Sequence, residues 1–342
     1  MQLLNCLYVT DHSARVSLRK DALEVRSNRT LLGRFPINGL DAVTLIGRAG
    51  ITTDAIARCV EQRVRLASLT TSGRVRFIAS TGTQGNVNLR VAQYNAATDP
   101  AVCLHLARFF VAGKLQNQRR AIQRWGWDAP PSDRGFFEAQ RRVVEERLAA
   151  SRKATTGDRL RGYEGDAARR YFKALGAHLA RVNPTFPLIT RTRRPPADPA
   201  NCVLSFLYGI LLVEVIGALE SVGLDPQVGF LHGLRPGRPS LALDLMEEFR
   251  PSLADRTAVV LLGRRQLRLE HFDTLNGKAW YLNDAGRRVT LQTLTELRSQ
   301  PAQHPILKRE IPRALLPSVQ ATLLARHLRG DLPVYPPYVT TS

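Results

Sequence analysis

The pattern of apolar and polar positions changes once along the chain. Up to residue 79 the runs are short. Leu3–Val9, Ala14–Leu18, Ala22–Val25, Thr30–Phe35 and Ala42–Ile46 alternate or are β-branched, with turn chemistry at Thr10–Ser13 and Asn38-Gly39 between them. Such runs predict strands. One helical period interrupts them, where Ala55, Ile56, Cys59 and Val60 recur behind a cap at Thr53. Val64–Leu69 and Val75–Ala79 then flank Thr70-Thr-Ser-Gly73, the signal of a hairpin. Thr81–Gly85 reads as a hinge-like linker, and from Asn86 the period is helical. The expected fold class is therefore α+β and multidomain. A small β-rich N-terminal domain with one helix, residues 1–82, precedes a larger all-helical C-terminal domain over 83–342. A Pro-rich tail, Leu332–Tyr338, ends it as an extended segment that docks on a partner or stays disordered.

The helical part holds several long periodic stretches, among them Ala101–Ile122, Phe136–Leu148 and Thr156–Gly176. In the last of these Leu160, Glu164, Ala168 and Phe172 form one row, so Glu164 sits within an apolar stripe. A carboxylate there is paired, protonated or bound to a cation, or lies at the stripe edge beside Arg161 or Arg169. Cys202–Leu219 approaches the length of a membrane span, but it carries Glu214 and two glycines and reads as a core helix. Asp198-Pro199 gives that helix a cap followed by proline at its first position. A probable-hairpin signal, Asn276-Gly277, lies between His271–Asp273 and Trp280–Leu282.

The stretch Val228–Pro251 organises the chemistry. It is a histidine, His232, at the end of an apolar run, then a basic Gly/Pro loop, then a short helix capped by Ser240 and stopped by Pro251. Ala242, Leu245, Met246 and Phe249 form its apolar stripe, and Asp244 and Glu247 lie one turn apart on a neighbouring face. One imidazole with carboxylates is a ligand set for a hard or borderline divalent ion. Arg235, Arg238 and Arg250 around it suit a phosphate group.

Composition sharpens this picture. In 342 residues, Lys plus Arg number 49 against 29 Asp plus Glu, a net charge of +20. The excess favours a polyanionic partner. The cluster Arg119, Arg120 and Arg124 is either a solvated face or a phosphate track. The four cysteines form no CxxC pair and lie in apolar runs, which argues against a zinc or redox motif and for a reducing compartment. The N-terminus has no basic lead or secretory h-region, so cytoplasmic placement with no membrane association is expected.

Tyr163-Glu164-Gly165, the helix start Asn201–Tyr208, Gly229-Phe-Leu-His232 and Leu243–Pro251 together resemble the CRISPR-associated integrase/endonuclease of the adaptation module, the Cas-one family. The resemblance spans essentially the whole chain. It implies a metal site made of Glu164, His232 and Glu247, with Asp244 as a further catalytic position close to the metal. Many members carry aspartate where this chain has Glu247, and Glu248 is its neighbour. The resemblance also implies Mn²⁺ or Mg²⁺ as cofactor, and attack by the 3′-hydroxyl of a short DNA duplex on a phosphodiester of the CRISPR repeat. It implies a homodimer formed through the N-terminal domain, and a heterohexamer with a small ferredoxin-like Cas partner. Arg119, Arg120, Arg235, Arg238 and Arg250 are the candidate contacts to double-stranded DNA. The alternative from another class is a non-enzymatic nucleic-acid scaffold that uses the same basic surface.

Overall fold

The computed structural model describes residues 5–79, 86–193 and 195–341. The expected linker Thr81–Gly85, and with it the boundary at 82, lies outside the described residues. The chain divides into two compact units. The first comprises Met1–Gln84, Arg193–Val213 and Leu267–Thr293; the second comprises Gly85–Thr192, Glu214–Gln266 and Leu294–Ser342. Two stretches from the expected helical domain thus belong with the β-rich segment.

In the first unit, β1 (Cys6–Val9), β2 (Ala14–Arg19), β3 (Ala22–Ser27), β4 (Thr30–Pro36), β5 (Ala42–Ile46), β6 (Gly50–Ile51), β7 (Arg65–Leu69) and β8 (Val75–Ala79) form two four-stranded sheets. Their orders are β1-β5-β7-β8 and β4-β3-β2-β6. Helix α1 (Thr53–Glu61) is capped by Thr52, one residue before the expected Thr53, through the Ala55 N–H. Inward-facing Val9, Val16, Leu23, Val43, Leu45 and Leu66 join Ala55 and Cys59 of α1 in one apolar core. Alternation along each strand puts these side chains on a single face, and their burial favours the fold by about 1.5–3 kcal/mol each. Burial pushes the Cys59 thiol up to about 11.

Helix α6 (Pro199–Ser221) begins in this unit, and its first turn is capped as expected, with Asp198 Oδ1 accepting from Asn201 N–H at 2.7 Å. It is long and apolar enough to cross a membrane, with 67% of its apolar window buried in the protein. Gly209 of α6 meets the loop between β7 and β8. A β-carbon there would stand 1.8 Å from the Gly73 carbonyl oxygen, so the close approach requires glycine at 209.

The second unit is mainly helical. It holds α2 (Val87–Thr98), α3 (Pro100–Trp127), α4 (Pro131–Arg152), α5 (Gly157–Val182), the short α7 (Ser240–Met246), α8 (Arg256–Gly263) and α10 (Leu316–Leu328). Helix α9 (Asp284–Ser299) crosses the division between the units. Helix α3 packs along both α4 and α5, and Leu106, Phe110, Leu115 and Ile122 of α3 are buried.

The expectation of an all-helical C-terminal domain is corrected by two hairpins. The first, β9 (Phe272–Leu275) with β10 (Ala279–Leu282), lies where Asn276-Gly277 signalled a turn. Both residues adopt positive φ, the geometry that such a dipeptide tolerates. The second, β11 (Pro301–His304) with β12 (Arg309–Pro312), gave no strand signal, because Pro301, Pro305 and Pro312 mask it. Pro301 and Pro312 sit opposite each other at the end of that ladder.

Candidate metal centre

The site lies within the second unit, and α7 positions it. Leu241, Ala242, Leu245 and Met246 bury the helix, while Asp244 and Glu247 leave its polar edge. The ends of α7 differ from expectation. Ser240 is not a cap: its hydroxyl donates to the Gly233 carbonyl at 3.1 Å, fastening the basic loop. Pro251 does not stop the helix either. The α-helix closes at Met246, and Pro251 lies inside a π-helical turn, Arg250–Asp255, that leads directly into α8.

Asp244 is fully buried and faces the segment 230–232. Its Oδ2 accepts from the N–H groups of Phe230 and Leu231 at 2.6 and 2.9 Å. Its Oδ1 accepts from His232 N–H at 2.9 Å and lies 2.6 Å from His232 Nδ1. Four donors fill the four lone-pair positions of the carboxylate. Nδ1 therefore carries the proton, and Nε2 presents its lone pair. Gly229 makes this approach possible, since a β-carbon there would lie 2.6 Å from Asp244 Oδ2 and from the Ser240 carbonyl carbon.

Glu247 lies one turn on and is 1% exposed. It faces α3 and α5. Lys114 of α3 places Nζ 2.7 Å from Glu247 Oε2 and 2.5 Å from Glu164 Oε1 of α5. Arg250 reaches Glu247 Oε1 at 2.7 Å. Burial opposes ionisation of Glu247, but Arg250 and Lys114 outweigh it and hold the carboxyl down at about 2. Burial also works against the charge of Lys114, and Glu247 and Glu164 raise its pKa despite that.

The structure thus brings Glu164 and Glu247 onto one cation, while His232 is held by Asp244. Among the described residues, no three His, Cys, Asp or Glu side chains enclose a metal-sized gap as they stand. The donor chemistry nevertheless fits a divalent ion. Two carboxylates already share one positive charge, and Glu247 Oε2 is buried against the Lys114 ammonium at 2.7 Å. The imidazole has one nitrogen fixed and the other available.

Glu248, the neighbouring carboxylate, points the opposite way. Its Oε1 accepts from the Tyr335 hydroxyl at 2.8 Å, and its Oε2 accepts from Tyr338 N–H at 2.7 Å and Gln320 Nε2 at 3.1 Å. Burial pushes its pKa up to about 8. Its partners make it the anchor of the C-terminal tail. Asn117 of α3 holds the same tail, donating to the carbonyls of Glu248 and Tyr338. The Pro-rich segment is therefore docked on its own chain, with Tyr335 and Tyr338 at 0% and 1% exposure.

The arginines divide. Arg119 pairs with Glu145 at 3.3 Å and Arg250 with Glu247, so both have intramolecular partners. Among the described residues, the side chains of Arg120, Arg235 and Arg238 find no ion-pair or hydrogen-bond partner. Glu214, the carboxylate within the apolar helix α6, meets Arg298 at 2.6 Å. Sequence reasoning missed Lys114. Its signal was a lysine in the Leu106–Phe110–Lys114 row of an apolar helix, the same pattern that singled out Glu164.

The mixed α+β fold thus places two carboxylates on one lysine, and a carboxylate-bound imidazole, in its helical unit. The sequence profile of "CRISPR associated protein Cas1" matches residues 7–296. A CRISPR-associated endonuclease Cas1 of Rhodospirillum rubrum is 40% identical over 344 residues, covering 98% of each chain. One of Moorella thermoacetica is 38% identical over 339 residues, again covering 98% of each. Among solved structures, a casposase bound to integration product superposes with a TM-score of 0.84 at 20% identity, covering 96% of this chain and 92% of that one. The chain belongs to the Cas1 family.

Proposed function

We propose that this chain is a divalent-metal-dependent DNA endonuclease and integrase of CRISPR adaptation, inserting short foreign DNA segments into the repeat array. The reading is carried by one observation: Glu164 and Glu247, from α5 and the end of α7, converge on a single positive charge beside an imidazole locked by Asp244. The Cas1 endonucleases of similar sequence, and the casposase of similar fold bound to integration product, support it.

Glu164, Glu247 and Nε2 of His232 would hold Mn²⁺ or Mg²⁺. Such an ion supplies charge neutralisation and polarises the attacking and departing oxygens of a phosphodiester. Asp244 keeps the imidazole in the tautomer that offers Nε2, and its other hydrogen bonds fix the backbone at 230–232. Arg235 and Arg238, on the loop after His232, have guanidinium groups free to meet phosphate oxygens. The partners in this reading are double-stranded DNA, a second copy of the chain bound through the β-rich segment, and a small ferredoxin-like Cas protein. A heterohexamer in the cytoplasm is the working assembly.

Strand joining tests this. Purified protein with its small Cas partner is given a labelled duplex bearing free 3′-hydroxyls and a supercoiled plasmid carrying a repeat. The expected result is joining of label to plasmid with Mn²⁺, none with chelator, and none for Glu164→Gln or His232→Ala while DNA binding persists. Salt-sensitive binding with no joining or cleavage under any metal would point to a scaffold instead.

A further inference from the structure

Away from the metal centre, five arginines of the second unit converge from three places. Arg120 and Arg124 come from α3, Arg256 and Arg264 from the two ends of α8, and Arg313 from the turn after β12. Arg256 feels the positive charges of Arg313, Arg124 and Arg264, and it lines one small depression with Arg313, Ser252, Thr257 and Arg298, the last paired with Glu214. Tyr338, buried beside them, feels the charges of Arg120, Arg256 and Arg313.

Among the described residues, none of the five guanidinium groups finds an ion-pair or hydrogen-bond partner. Arg120 Nη1 and Arg313 Nε are buried and donate to nothing. The carboxylate next to Arg256 is turned away, since Asp255 accepts from the Tyr171 hydroxyl at 2.8 Å. Elsewhere on this unit arginines do find carboxylates: Arg141 takes Glu138 and Glu145, and Arg147 takes Asp166.

Gathering like charges on a half-buried surface is unfavourable on its own, and burial adds to the cost of charge at Arg256. An external anion offsets that cost. Guanidinium groups with free planar faces match phosphate oxygens in pairs, and several from separate elements suit successive phosphates better than one small anion.

We propose that Arg120, Arg124, Arg256, Arg264 and Arg313 form a seat for the phosphodiester backbone of DNA, separate from the metal centre. The seat rests on the reading of the chain as a DNA-acting protein, and it needs no metal. It lies against the tail residue whose backbone N–H is bonded to Glu248, so DNA held there touches the segment strapped next to Glu247. It also draws in Arg256, Arg264 and Arg313, none of which has a sequence signature.

The test is DNA binding in chelator, followed by anisotropy of a short labelled duplex across a range of NaCl concentrations. Two variants of the full chain are compared with wild type: Arg256→Gln/Arg313→Gln, and Arg124→Gln/Arg264→Gln, whose two side chains are exposed and tolerate change. Each should lower the steepness of log K against log salt by about 1.8, from about 0.9 per lost phosphate contact. Arg256→Lys/Arg313→Lys should keep the wild-type steepness. Unchanged steepness in both Gln variants overturns the seat. A thermal shift with inorganic phosphate but no change in DNA steepness also overturns it, in favour of a small-anion site. Wild-type protein that joins strands while both Gln variants keep their salt dependence removes the seat and leaves the integrase reading intact. Protein that never joins strands, yet loses steepness in the variants, does the reverse.

Discussion

Lys114→Met removes the one positive charge shared by Glu164 and Glu247. Lys114 is 8% exposed at its side chain, Glu247 2% and Glu164 18%, so little water is available to replace the ammonium. A unit pair about 4 Å apart is worth about 4 kcal/mol at an effective dielectric near 20. Part of that is returned because the lysine no longer has to be desolvated. Breaking a buried pair by removing one partner typically costs about 3–5 kcal/mol, and that range is expected here. Urea unfolding in chelator measures it. Because the variant leaves two carboxylates facing each other, a divalent ion should stabilise it more than it stabilises wild type. At a free ion concentration of about 100 times Kd the gain is about 2.7 kcal/mol. Unfolding should therefore be repeated with Mn²⁺. A loss under about 1 kcal/mol in chelator would show that the pairing is not as tight as drawn. A variant that gains no more from Mn²⁺ than wild type would refute the idea that these carboxylates are cation ligands.

Three further outcomes follow from the same geometry. Asp244→Asn puts an amide NH₂ against backbone N–H donors and loosens the His232 tautomer; Mn²⁺ affinity by titration calorimetry should fall by about 10–100-fold, and an unchanged affinity would deny Asp244 its orienting role. Tyr335→Phe takes a donor from buried Glu248 and an acceptor from Gln320, so urea unfolding should show a loss of about 1–3 kcal/mol. His178 is buried and stacked on Trp125, and burial, with Arg181 beside it, pushes its pKa down to about 4 from 6.5. The unfolded chain then binds the extra proton between those values, so stability conferred by neutral His178 is present above about pH 6.5 and is lost as pH falls toward 4. The slope is at most about 1.4 kcal/mol per pH unit. His178→Gln should flatten that part of the stability curve, and curves that stay parallel would show that His178 does not titrate there.

Much of the centre was legible before any coordinates. Glu164 stood out because a carboxylate in an apolar helical row needs a partner, and the partner proved to be Lys114. His232 and Asp244 stood out as a histidine at the end of an apolar run followed by a carboxylate. What the spacing could not tell was their pairing. Asp244 and Glu247 are one turn apart, yet the first turns to the 230–232 backbone and the second to α3. That difference depends on where the incoming chain passes, and Gly229 allows it to pass close. Glu247 and Glu248 were harder still, since adjacent residues at a helix end point to different sides, and only the docked tail reveals what Glu248 serves. The tail itself looked extended because prolines suppress regular structure, but two tyrosines with buried partners give it a fixed place. The hairpin at 301–312 was hidden for the same reason. The domain division was hardest to read, because α6 joins the β-rich segment only up to Val213, where contacts such as Gly209 against Gly73 are long-range and no local pattern announces them.

The most direct measurement is an anomalous-difference map from crystals of the protein soaked in Mn²⁺. One strong peak is expected, ligated by carboxylate oxygens of Glu164 and Glu247 and by Nε2 of His232, with Nδ1 still on Asp244 and Glu248 still on the tail tyrosines. No peak at this centre in crystals that bind Mn²⁺ elsewhere, or a peak held by Asp244 or Glu248 in place of Glu247, would contradict the assignment of these residues as the metal site.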